Sequence, residues 1–120
     1  MSFTPYALIL AISLASCAAD TPPEQSAPLF VSSEADRTAA IRSLTDCQIL
    51  AAKRLDDLKS DAKTIGSAVA SLCIRESETL FTVLTVGQSE SRKRALRERW
   101  PADQLQFAVN TVLSLRSSSR

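Results

Sequence analysis

The sequence predicts an all-α fold: a small antiparallel helical hairpin or bundle of three to four helices, stapled by one disulfide. Three observations carry this. After Ser33, apolar residues recur at steps of three and four, the repeat of helices that bury one face. Capping residues stand where each such stripe begins. Two cysteines, Cys47 and Cys73, lie at equal distances from the turn between the first two stripes.

Ser33 is the expected N-cap of the first helix, with Glu34 and Asp36 in its first turn, where the helix dipole favours acid. Its stripe runs through Ala40, Leu44, Cys47, Ala51, Leu55 and Leu58. Arg42 with Asp46, and Lys53 with Asp57, are spaced for ion pairs across one turn. Ser60-Asp61 opens a second helix, whose stripe is Ala62, Ile65, Val69, Leu72 or Cys73, Leu80 and Leu84. Gly87 suits the position just past its end. Leu80 to Val86 is also rich enough in β-branched and aromatic residues for a strand. Ser89 or Ser91 caps a short basic helix that runs to Trp100. Pro101 then opens a last helix at its first position, with Leu105, Ala108 or Val109, Val112 and Leu115 on its stripe. Arg116 to Arg120 reads as a frayed tail.

Cys47 lies thirteen residues before Ser60, and Cys73 thirteen after it. In an antiparallel hairpin such residues stand at the same height, so the pair is expected to bond. Helix axes usually lie 8–10 Å apart, whereas bridged Cα atoms lie closer. The small residues Ala51, Gly66 and Ala70 are expected to permit that approach. Closing a loop of about 26 residues is worth on the order of 3–4 kcal/mol in the chain-entropy model. Two free thiols or a reactive pair are the alternatives. The reactive pair lacks a C-x-x-C spacing and has no thiolate-stabilising group nearby except Arg75.

Residues 1–16 carry no charge, and Ala7 to Ala15 is apolar except for Ser13. That run is too short for a membrane-spanning helix, which needs about 20 residues. It has the length of the apolar region of a secretory signal. It ends at Leu14-Ala15-Ser16-Cys17, which resembles the lipobox of bacterial lipoproteins. The resemblance covers only the first 17 residues. It implies cleavage between Ser16 and Cys17, and acyl chains such as palmitate on Cys17. Ala18, rather than Asp, then resembles the class sorted to the outer membrane. On this reading the chain divides into a signal peptide at 1–16, a lipidated N-terminus and tether at 17–32, and a helical domain at 33–120. The tether carries three prolines, and Leu29-Phe30-Val31 at its end is expected to staple onto the first helix.

Composition excludes several chemistries. The chain has no histidine, so it can form no histidine-based triad or zinc–histidine site. Gly66 and Gly87 stand alone, so no phosphate-binding glycine loop is present. Asp56, Asp57 and Asp61 cluster at the hairpin turn, but without calcium-loop spacing, and are expected to cap it. Glu76, with Arg75 and Glu78 beside it, falls on the apolar stripe, where pairing with an arginine is expected over catalysis. No metal site and no cofactor are expected, and the chain reads as a non-enzyme.

Net charge is +1, yet it is unevenly spread. The segment from Cys17 to Asp61 is net acidic, and that from Ala62 onward is net basic. Arg92, Lys93, Arg94, Arg97, Arg99 and Trp100 form the strongest charged feature. They are candidates for contact with a partner or an acidic surface, with a solvated helix face as the alternative. Nucleic acid is not an expected partner. In anchor, size, helical content and one disulfide, the chain is similar to pilotins, lipoproteins that escort secretins to the outer membrane. The resemblance implies a lipid-anchored, periplasm-facing interaction module of the outer membrane. The alternative is an immunity or inhibitor lipoprotein that neutralises a periplasmic toxin or hydrolase.

Overall fold

The computed structural model describes residues 31–119. Cys17, the segment before it and the tether up to residue 30 lie outside the described residues, as does Arg120. The described chain is an all-α four-helix bundle stapled by one disulfide: α1 (Glu34–Leu55), α2 (Ala62–Leu72), α3 (Ile74–Thr85) and α4 (Glu90–Ser118).

Three of the four helix starts are capped as their residues dictate; α3, which follows Cys73, has no side-chain cap. Ser33 and Asp36 form a reciprocal box: the Asp36 N–H donates to Ser33 Oγ at 3.1 Å, and the Ser33 N–H donates to the Asp36 carboxylate at 3.2 Å. At α2 the Asp61 carboxylate accepts from the N–H groups of Lys63 and Thr64, both at 3.0 Å. At α4 the Arg92 N–H donates to Ser89 Oγ. Gly87 takes φ 73°, and the Gln88 N–H closes the turn on the Thr85 carbonyl. That conformation suits glycine at the third position of a type II turn.

Chain direction follows from the contacts. The disulfide joins Cys47 of α1 to Cys73, at the α2–α3 junction, with Cα atoms 5.9 Å apart. Trp100 of α4 donates to Ser77, Arg97 to Glu78, and Val109 abuts Gly66. So α2 and α3 run down between two ascending rods, α1 and α4. The core is Leu44, Val69, Cys73, Leu80, Phe81, Trp100, Ala108 and Val112, joined by Ala40, Ala52 and Ile65.

Six sequence expectations are corrected. First, the second helix is two. Cys73 departs from helical values (φ −97°, ψ 23°). The break falls on the residue that the bridge ties to α1. Buried Cys73, not exposed Leu72, takes the core position. Second, α4 runs unbroken through Pro101. Proline in a helix interior costs about 3 kcal/mol relative to alanine. Burial of Trp100 just before it and of Ala108 two turns after it holds the two halves on one axis. Third, Leu58 is no part of the first stripe. It is 70% exposed at φ 57°, in the left-handed region. Fourth, Gly66 faces α4, not the disulfide: a Cβ there would lie 2.6 Å from Val109 Cγ2. Fifth, Arg116 belongs to α4 and is bonded, not frayed. Nor do the Arg42–Asp46 and Lys53–Asp57 spacings become ion pairs among the described residues; Asp57 instead folds back to cap its own turn.

Candidate functional site

The basic start of α4 divides by partner. Arg97 reaches across to α3, donating to both Glu78 carboxylate oxygens at 2.8 Å. Its guanidinium lies 3.5 Å from the centroid of the Phe81 ring, a cation–π contact. Lys93 bonds Glu90 at 2.9 Å, and Arg99 lies 3.6 Å from Asp103. Trp100 is buried, edge-on to Phe81, with its indole N–H on Ser77 Oγ at 3.0 Å. It is therefore a core residue and not an interface anchor. Arg92 and Arg94 are exposed and enter no ion pair among the described residues.

Where α3 meets α4, an open groove of about 410 Å³ has Leu84, Ala95 and Leu96 as its apolar part. Arg92 and Arg99 border it, two helical turns apart. A second groove, of about 540 Å³, runs between α1 and α3. Ala39, Ala40 and Ser43 line its α1 side, and Thr82, Val83 and Val86 its α3 side. Val31, the first described residue, also lines it.

The turn between α1 and α2 is a self-contained polar knot. Asp57 accepts from the N–H groups of Lys59 and Ser60, at 2.9 and 2.8 Å, and from the Ser60 hydroxyl. These bonds hold its carboxyl down at about 2. The Asp61 carboxyl is lowered by the Thr64 hydroxyl, then by backbone donors. The Asp56 carboxyl is lowered mainly by Arg116, whose Nη2 lies 2.6 Å from Asp56 Oδ1 and whose Nε lies 2.9 Å from Oδ2. Arg116 also donates to the Ser60 carbonyl at 2.8 Å. Asp56 is only 11% exposed and Arg116 22%, so this forked pair is drier than the other three. The three aspartates are thus turned to backbone donors and to Arg116. Among the described residues no group of three acidic or cysteine side chains is placed to hold a metal ion. Glu76 is half-buried and Glu78 is the carboxylate that takes an arginine.

Two polar residues were missed in the sequence. Arg116 sits in a serine-rich tail, and only its approach to Asp56 reveals its role. Gln48 is buried between α1 and α4, one turn beyond Leu44, a spacing that does mark a core position. Its Oε1 accepts from Thr111 at 3.3 Å, while its Nε2 has no partner.

No described helix is long and apolar enough to cross a membrane. Cys17 and Ser16, the lipidation and cleavage candidates, lie outside the described residues. The chain matches no protein-family model, no curated protein and no solved structure.

Proposed function

We propose that this chain is a lipid-anchored bacterial lipoprotein of the outer membrane, facing the periplasm, and that it works as a small helical protein-interaction module. One conjunction carries the reading. A Cys47–Cys73 disulfide, buried at Cys73, occurs in a chain whose remaining cysteine, Cys17, ends a run that resembles a lipobox. Disulfides persist in oxidising compartments such as the periplasm, and a lipobox directs a chain there. Several acyl chains then provide a stable anchor.

The module's partner site is the α1–α3 groove, which takes the apolar face of a partner helix. Small residues on α1 leave room for it, and Val83 and Val86 give it an apolar wall. Pilotins offer the analogy: small, helical, anchored and dedicated to one client.

Two measurements test this. Globomycin blocks the lipoprotein signal peptidase, so treatment should accumulate the uncleaved form. Processing that ignores the drug, with the protein soluble, defeats the anchor. Crosslinked co-purification from membranes should then capture a specific envelope protein. Ala39→Trp, an exposed position on the groove wall, should abolish that capture without unfolding the bundle. Capture that survives Ala39→Trp removes the groove from the proposal. A captured toxin or hydrolase, in place of a secretion component, would turn the reading to an immunity lipoprotein.

A further inference from the structure

We infer that the end of the bundle where the chain turns from α3 into α4, with Arg92 and Arg94, is a docking surface for an anionic membrane. The proposal rests on the anchored reading above for its setting, but its geometry comes from the fold.

The described chain begins at Val31, and Val31 and Val86 line the same groove. The tether therefore enters the bundle beside the end of α3. The turn after Val86 leads straight into α4, whose first turns carry Arg92, Lys93 and Arg94. The tether attachment and the basic start of α4 thus share one end. At about 1.5 Å per residue, the Asp56–Arg116 knot lies some 40 Å away at the other end.

Fourteen peptide links separate Cys17 from Val31. Fully extended, a chain of that length reaches at most about 50 Å. An anchor at Cys17 therefore ties the bundle to the membrane through this end, and not through the acidic turn.

The end also carries acid, at Glu34, Asp36 and Glu90. Asp36 is held by the Ser33 cap and Glu90 by Lys93. Arg97 and Arg99 are occupied by Glu78 and Asp103. Among the described residues, Arg92 and Arg94 remain as exposed cations outside ion pairs. Arg92 borders the 410 Å³ groove, whose apolar part can receive the upper portion of a lipid beneath its phosphate.

The test uses residues 17–120 with Cys17→Ser, a chain that holds every described residue of the bundle and needs no lipidation. Its failure is thus distinct from failure of the anchor. Vesicles with half phosphatidylglycerol, in low salt, should bind the protein in a sedimentation assay. Pure phosphatidylcholine vesicles should bind it far less, and 0.5 M salt should release it. Arg92→Gln with Arg94→Gln should weaken binding about 30-fold, at about fivefold for each cation near an anionic surface. Arg54→Gln with Lys63→Gln removes the same charge near the far end and should change binding less than twofold. Both doubles alter exposed residues, and far-UV circular dichroism should show both folded. Equal binding to the two lipids overturns the proposal. So does equal loss in the two doubles, which would mean that net charge alone acts. Loss of a crosslinked acidic protein in the Arg92/Arg94 double, without lipid preference, would assign this end to a protein instead.

Discussion

Gly66→Ala should destabilise the bundle, and the sign of the effect is what matters. Glycine inside a helix is disfavoured by about 1 kcal/mol relative to alanine, so local propensity predicts a gain. The tertiary structure predicts the opposite. The added Cβ would lie 2.6 Å from Val109 Cγ2 and 3.0 Å from both Val109 Cα and Val109 N. A rotamer change can move the methyl, but only a retreat of α4 relieves the backbone contacts. Overpacking of this kind costs typically 1–3 kcal/mol. The net expectation is a loss of about 1 kcal/mol. Ala68→Gly, at an exposed position of the same helix, calibrates propensity and should also cost about 1 kcal/mol. Urea unfolding at 25 °C, followed by circular dichroism, reads both from the midpoint at constant slope. Val109→Ala in the Gly66→Ala background should recover only part of the loss, since the backbone contacts remain. A gain of about 1 kcal/mol from Gly66→Ala would refute the close seating of α2 on α4.

Three further outcomes are expected. Reducing the Cys47–Cys73 bridge frees a loop of 26 residues, which the chain-entropy model values at about 3.5 kcal/mol. For a body of this size the melting temperature should then fall by roughly 14–28 °C, and a drop under about 4 °C would show that the bundle does not need its staple. Asp57, with its carboxyl held near 2, and the lowered Asp56 and Asp61 stabilise the fold when ionised. Their contribution is complete above the unfolded carboxylate range near 4 and is lost as pH falls toward 2, so thermal scans should show a decline between those values that Asp57→Asn lessens. Gln48→Met removes a buried donor that has no partner and should be neutral or stabilising by about 1 kcal/mol in urea unfolding; a loss above 2 kcal/mol would mean that the amide is in fact satisfied.

Much of the local structure was legible in the chain, because caps and stripes are set by neighbours in sequence. Ser33, Asp61 and Ser89 cap as their side-chain chemistry requires, and Gly87 ends its helix as a glycine with positive φ should. The cysteine mirror gave the bridge, since antiparallel helices convert distance from a turn into height along the bundle. The charged candidates were only half legible. Their types and spacing mark a basic face, but whether each faces solvent depends on α3. Glu78 and Phe81 take Arg97, and Ser77 takes Trp100, from about twenty residues away in sequence.

By itself, then, the sequence determined the helical class, the starts of three of its four helices and the pairing of its two central cysteines, and it carries at Cys17 a pattern that resembles a lipobox. These depend on short-range spacing and side-chain chemistry. Only the tertiary structure decided that α4 continues through Pro101, that the second helix breaks at Cys73, and that Gly66 admits Val109. It also decided that Arg116 locks onto Asp56. Each of these depends on a neighbour supplied by another helix. A proline or glycine penalty of one to three kcal/mol is overridden only when packing on the other side is known. The same holds for the basic segment: its charges are local, but their place at the end of the bundle beside Val31 is a property of the fold.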